Sequence, residues 1–421
     1  MRREGGKLSV AVLLLSGLLT LPCFAQTSPD IAASEPSFKD QLFSRFEPRV
    51  SGDLRLRYQH LQRDDFADDG QALTLRFQGA LEAKISEKTY ILGEIEGVKA
   101  VVEDFNDGTG RRPQFPFIPD PEGLELNRLQ IITEAIPETR ITAGRQRLAL
   151  DDWRFIGAFP FRQNGQTIEA LRFETKTIGS GVLDAGYFNK VRRPLGANND
   201  NGKFSGDSYF LNYNLATPFG RFAAFHYALD LETGTDSLPQ YASSQTTGAR
   251  ILGRRDWEGL SLVWEGSYAR QSDYANSPID YAADYMLAQI SVHPGPFAFK
   301  LRGEILGSDD GHAVQTPLAS LHRFQGFADK FLRTPDEGVR DYSVFAKYDF
   351  GALGPFSNVE SFARHHWFEA DTTGRNYGRE LNLSLKAKLH KTGFALEYAN
   401  YKAETFSVDT QAFFLTSEIS F

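Results

Sequence analysis

The sequence predicts an all-β fold, a transmembrane antiparallel β-barrel of about eighteen strands (sixteen to eighteen) with short periplasmic turns and long extracellular loops. Three observations carry this expectation. The final run alternates: Phe413, Leu415, Ile419 and Phe421 share one face and Ala412, Thr416, Glu418 and Ser420 the other, the pattern of a strand between lipid and water. The gaps between such runs alternate short and long, as barrel turns and loops do. No segment beyond the first 25 residues approaches the ~20 apolar residues of a membrane helix, although aromatics make up 13% of the chain and it holds 37 glycines but only two methionines.

Taken in order, residues 1–25 read as a secretory signal: Arg2, Arg3 and Lys7, an apolar run from Leu8 to Leu21, then Cys23-Phe24-Ala25 before the cleavage point. A lipoprotein site at Cys23 is the rival, disfavoured by Pro22 where a small residue is wanted. Residues 26–49 form a short periplasmic segment, too few for the plug of an energy-coupled receptor, and the barrel is expected over 50–421. The only cysteine leaves with the signal, so the mature chain has no disulfide. Three basic groups and one acidic group leave too, and the remaining 43 basic and 53 acidic groups exclude a basic nucleic-acid binder.

Alternation places strands near 50–61, 72–85, 90–102, 123–134, 139–148, 167–175, 181–192, 208–216, 221–230, 246–253, 259–270, 280–292, 297–307, 339–350, 358–369, 379–390, 393–404 and 411–421. Short links such as 86–89, 217–220 and 293–296 fall between long ones such as 103–122, 149–166, 193–207, 231–245 and 308–338. An even count brings both termini to the periplasmic side.

Four strands show which side chains face the lumen. Leu54, Leu56 and Tyr58 oppose Arg55, Arg57 and Gln59; Leu73, Leu75, Phe77 and Leu81 oppose Arg76, Gln78, Glu82 and Lys84; Phe297, Phe299 and Leu301 oppose Lys300, Arg302 and Glu304; Leu381, Leu383 and Leu385 oppose Lys386 and Lys388. A lipid-facing charge costs ~2–4 kcal/mol at the midplane, so the charged face is expected inside, around water. Arg55, Arg57, Arg76, Lys84, Lys300, Arg302, Lys386 and Lys388 then favour anions. Against that stands a balanced structural ladder, because Glu82, Glu265, Asp284, Glu304, Glu360, Glu397 and Glu418 are also assigned to the lumen.

Two loops stand out. Residues 144–170 place Arg145, Arg147, Arg154 and Arg162 among four aromatics, as in a loop folded against a wall, although Arg145 and Arg147 share a register with Ile141 and Ala143 and need a bulge to turn inward. The stretch 321–332 spaces Phe324, Phe327 and Phe331 at helical intervals and predicts a short amphipathic helix. The block from Gly144 to Ala170, with Phe324-Gln-Gly-Phe-Ala-Asp-Lys-Phe-Leu and Thr334-Pro, resembles the alginate-export family of outer-membrane porins over about Val50 to Phe421. The resemblance implies an eighteen-stranded monomeric barrel whose arginine-rich constriction passes anionic polyuronate, with Arg145, Arg147, Arg154 and Arg162 as solute contacts.

Catalytic patterns are weak. Gly206-Asp-Ser208 lacks a Gly-x-Ser-x-Gly elbow and has no histidine assigned beside it. His365 and His366 are adjacent on a strand and so point to opposite faces. Asp104-Phe-Asn-Asp107-Gly108 misses the spacing of a calcium loop and reads as a turn. No enzyme activity, cofactor or metal is expected. The expectation is a passive outer-membrane channel of a Gram-negative bacterium for small anionic or saccharide solutes. Its partners are outer-membrane lipid, lipopolysaccharide and the barrel-assembly machinery, reached through the strand ending in Phe421. A lipid hydrolase using Ser208 and a non-conducting adhesive barrel are the alternatives.

Overall fold

Period-two alternation becomes a closed wall in the computed structural model, which describes residues 48–232 and 243–421. The signal and nearly all of 26–49 lie outside the described residues. The first nine strands are β1 (Arg49–Arg63), β2 (Gly70–Ser86), β3 (Thr89–Asp104), β4 (Gly123–Thr133), β5 (Thr139–Gln146), β6 (Thr167–Thr175), β7 (Val182–Arg192), β8 (Lys203–Thr217) and β9 (Gly220–Leu229). They are followed by β10 (Ser244–Trp257), β11 (Leu260–Asp273), β12 (Ala282–Pro294) and β13 (Phe297–Leu306). A small hairpin, β14 (Ser308–Asp309) and β15 (His312–Ala313), sits in the next loop. The wall resumes with β16 (Val339–Leu353), β17 (Phe356–Glu369), β18 (Asn376–Leu389), β19 (Thr392–Ala403) and β20 (Thr410–Ser420).

Leaving out the hairpin, each strand pairs antiparallel with its neighbour in sequence, and β1 pairs with β20, closing an eighteen-stranded barrel. Gly52 and Phe421 exchange both backbone hydrogen bonds at 2.9 Å across that seam. Closure leaves the sheet without an unpaired edge. All eighteen expected strands are present. The largest displacements are at β8, which begins at Lys203 rather than 208, and β10, which continues to Trp257. In β8 a bulge opposite Phe188 and Lys190 breaks the alternation, while Arg254, Arg255 and Asp256 pair with β11 although they read as loop. Connections at one end are turns, two residues long in several cases, and those at the other end are long loops.

The wall has the expected two faces. Leu54, Phe77, Leu81, Phe299, Leu301, Leu383 and Leu385 are exposed on its outside, whereas Arg55, Arg57, Arg76 and Gln78 are buried inside. Two assignments change. Asp284 shares the outer face with Tyr268 and Arg270, which it contacts at 2.9 and 3.1 Å, because its neighbour Tyr285 fills the lumen face. The stretch 321–332 is not an amphipathic helix: only Leu321–Arg323 makes a 3-10 turn, after which Gln325, Gly326 and Asp329 adopt positive φ. Its phenylalanines go to separate partners instead, Phe327 to His322 and Phe362, Phe331 to Phe368 and Phe406.

Candidate functional site

The loops 147–166 and 307–338 fold into the lumen and join. Gly157 N donates to Leu318 O at 2.8 Å and Ser320 N to Trp153 O at 3.1 Å. Leu148, Leu150, Phe155, Ile156, Val314, Leu318 and Phe331 from these loops share one buried apolar cluster with wall residues such as Phe225, Tyr285 and Phe368. Part of the interior is thus dry packing, and the loops leave only the rest of the lumen open.

The loops are fastened by lumen cations. Arg55 donates to Glu418 at 2.8 Å and to the carbonyls of Pro160 and Arg162 at 2.9 and 3.2 Å. Arg57 donates to Phe161 O and Thr416 Oγ1 and lies over the Phe161 ring at 4.2 Å. Arg76 pairs with Asp53 and Glu418. Arg154, 1% exposed, meets Glu304 at 3.0 Å and donates to Thr316 and Gln325 at 3.3 and 3.2 Å. Arg162 pairs with Asp329, whose other oxygen lies 3.0 Å from His322 Nδ1. Burial pushes the Asp329 carboxyl up, but the charges of His322 and Arg162 outweigh it and hold it below the usual range. Gly326, at φ +84°, lets the second loop pass the Glu380 carboxylate, with which an added Cβ would collide.

A cavity of about 650 Å³ remains between these loops, residues 193–204 and the wall of β16–β19. Six cations line it (Arg162, Arg193, Arg323, Arg333, Arg364 and Lys386) against the carboxylates of Asp329 and Glu397. Lys386 reaches Glu397 at 3.4 Å. Arg193 donates to Asn201 O at 2.8 Å, and burial lowers its pKa to about 10. Arg323 lies 5.0 Å from the Trp153 ring centre and Arg364 5.4 Å from that of Phe345. Lys300 stands on Phe345 at the same 5.4 Å. Among the described residues no carboxylate is within ion-pair distance of Lys300, Arg323 or Arg364. Phe345 and Lys300 also line a second cavity, of about 780 Å³, with Gln289, Ser291, His293 and Lys347 towards the short-turn end. Phe345 lines both cavities.

The twelve residues singled out in the sequence therefore separate. Arg162, Lys300 and Lys386 line open space; Arg302 is tied to Glu304 at 2.9 Å; Arg147 reaches Glu94 at 2.8 Å on the lumen side; Lys84 and Lys388 take the lumen register near the short turns. Arg55, Arg57 and Arg154 hold the loops, and Arg76 ties β2 to Asp53 of β1 and Glu418 of β20. Arg145 is a correction. No bulge interrupts β5, so it keeps the register of Leu129 and Ala143 and lies on the outer wall. Arg323 and Arg364 were not legible: Arg364 follows Phe362 on a lumen face that is partly apolar because it packs against the loop, which defeats the rule of polar inside and apolar outside.

The other patterns resolve simply. Ser208 is fully buried and bonded to the backbone of Asp230, with no histidine among its partners. His366 reaches Asp341 at 2.8 Å inside the wall while His365 lies beside Trp367. Asp107 closes a turn through Thr109 and Arg111. Among the described residues no group of three or more His, Cys, Asp or Glu side chains is arranged to hold a metal, and no helix is long and apolar enough to cross a membrane.

In fold, the chain is similar to crystal structures of outer-membrane porins. Acinetobacter baumannii OccAB4 superposes with a TM-score of 0.68 at 14% identity, covering 89% of this chain and 98% of its own. Pseudomonas aeruginosa OpdO gives 0.67 at 15% identity, over 89% and 97%. The outer membrane protein OpdK of Pseudomonas aeruginosa gives 0.65 at 14%, over 89% and 98%, and its vanillate complex 0.64 at 14%, over 88% and 98%. No family model matches the chain, and no curated protein matches it in sequence.

Proposed function

We propose that the protein is an outer-membrane channel through which small anionic solutes diffuse passively. The observation that carries this reading is the group of Lys300, Arg323 and Arg364 beside the two cavities, each held against an aromatic ring and none with a carboxylate partner among the described residues. An unneutralised cation in a constriction attracts a passing anion, while water and competing cations keep the hold weak enough for release. Guanidinium forks suit a carboxylate, and ring faces suit a flat or saccharide body. The favoured solute is therefore a ring bearing a carboxylate. A uronate fits the alginate-export resemblance, and an aromatic acid fits the vanillate of the OpdK complex.

The same reading includes export behind a cleaved signal, an apolar outer band in contact with lipid, and recognition of the last strand by the assembly machinery. The test is the reversal potential of the refolded protein in a planar bilayer under a salt gradient, repeated with uronate oligosaccharides and with vanillate. Anion preference with block by either carboxylate is the expected result. A folded barrel that conducts no ions, or that prefers cations, overturns the reading.

A further inference from the structure

The outer wall carries a charged cluster that the passage does not use. Glu169 of β6 is approached by Arg145 of β5 at 3.0 Å, by Arg192 of β7 at 3.4 Å and by Lys190 of β7 at 3.7 Å. Lys203 of β8 stands opposite Arg192 in the ladder and extends the group. Three cations thus surround one carboxylate, with Lys203 beside them, and the next carboxylate on this face, Asp207, accepts from the Tyr187 hydroxyl at 2.6 Å. The Nε–H groups of Arg145 and Arg192 are buried and have no acceptor among the described residues.

Down the same face, towards the short turns, come Tyr187 and Tyr209, with ring centres 5.3 Å apart and the exposed Leu171 level with them, and then the exposed Phe173 and Leu211. On β6–β8 the order of cations, tyrosines and then phenyl and aliphatic groups is the one met in passing from headgroups through the interface into hydrocarbon, while on the neighbouring β4 the exposed Leu129 stands level with Arg145 and Leu126 and Leu124 lie beyond it.

We infer that Arg145, Lys190, Arg192 and Lys203 form a docking site for the phosphate of an outer-leaflet glycolipid, an inference that rests on the outer-membrane reading above. Guanidinium groups offer parallel donors to phosphate oxygens, and the excess positive charge complements an anionic headgroup. The site also reaches the passage. The loop that starts after Arg192 supplies Arg193, Pro194 and Leu195 to the cavity. It is anchored on its far side by Ala197 N donating to Glu125 at 2.7 Å and by Asn199 donating to Gly108 O at 2.6 Å. A phosphate held at Arg192 braces the near end of this loop.

The test uses the refolded full chain in detergent, titrated with bisphosphorylated lipid A, dephosphorylated lipid A, phosphatidylglycerol and inorganic phosphate, with bound lipid read by native mass spectrometry. The bisphosphorylated lipid binds, the dephosphorylated one does not, and Lys190→Gln/Arg192→Gln weakens binding about 30-fold. Lys203→Gln, which removes no ion pair within the cluster, is the second variant and weakens binding several-fold. Unchanged binding in both variants overturns the site, and so does equal affinity for phosphatidylglycerol or for inorganic phosphate alone. Conductance is recorded on the same proteins. A barrel that conducts without binding lipid A refutes this site and not the channel; one that binds lipid A without conducting refutes the channel and not this site.

Discussion

Replacing Arg364 by Gln removes one of the three unpaired cations beside the two cavities without emptying the space beside Phe345. An anion passing ~5 Å from the guanidinium gains about 0.8 kcal/mol if the intervening medium screens as water does, and ~3 kcal/mol at an effective dielectric near 20. Arg364 is half-buried and borders a cavity wide enough for water, so the lower figure is the safer basis. A passing cation is repelled by the same amount. The substitution therefore shifts the anion-to-cation balance by about 1.6 kcal/mol, or roughly 15-fold at low salt. Screening should erase most of this at 1 M salt, where the Debye length is about 3 Å. The assay is the reversal potential of wild type and variant across a tenfold salt gradient, run at low and at high ionic strength. A permeability ratio unchanged at both, in a variant that still folds as a barrel, refutes the assignment of Arg364 to the passage and the electrostatic reasoning behind it.

Other outcomes follow from the same geometry. Arg154→Met strips Glu304 of one partner in a dry environment, and since Arg302 remains at 2.9 Å the loss should be about 1–3 kcal/mol rather than that of a wholly unpaired buried charge; a lower thermal midpoint and noisier single-channel current are expected. Phe345→Ala removes a ring that borders both cavities and should raise conductance while reducing block by vanillate. The ion pair of Asp329 with Arg162 contributes stability that is complete above the ordinary carboxylate range, because its folded pKa is depressed, and that is lost as pH falls through the folded value. Loop opening, read as current fluctuations, should accordingly appear only on acidification below that range and vanish from the pH profile in Asp329→Asn. Arg145→Gln should leave ion selectivity unchanged, since the residue lies outside the lumen.

What could be read from the sequence divides along a physical line. A wall between lipid and water imposes a period of two, so Leu54 against Arg55 and Leu383 against Lys386 place their strands without further information. The period fails where the wall faces protein instead of water. At Phe362 and Phe368 the lumen side is apolar because Phe327 and Phe331 lie against it, and Arg364 between them gave no signal. Bulges are equally silent: the extra residue near Gly206 hid the start of β8. The inward loops were legible as unusual from their arginines and aromatics. Their roles were not, because Arg154 and Arg162 meet Glu304 and Asp329, more than a hundred residues away, and nothing local marks those partners.

The seam between β1 and β20 bears on how the molecule comes to exist. Arg55 and Glu418, which meet there, are separated by 363 positions in the chain. Each hairpin of the wall can form from neighbours, but the ring gains its last ladder only when the two most distant strands meet, a contact that yields nothing until almost everything else is ordered. Until then the first and last strands are both open templates for the wrong partner. Because Arg55 also grips the carbonyls of Pro160 and Arg162, the inward loop completes its wall contacts only when β1 is in place. Closing the cylinder and setting its internal constriction are, at this corner, a single event.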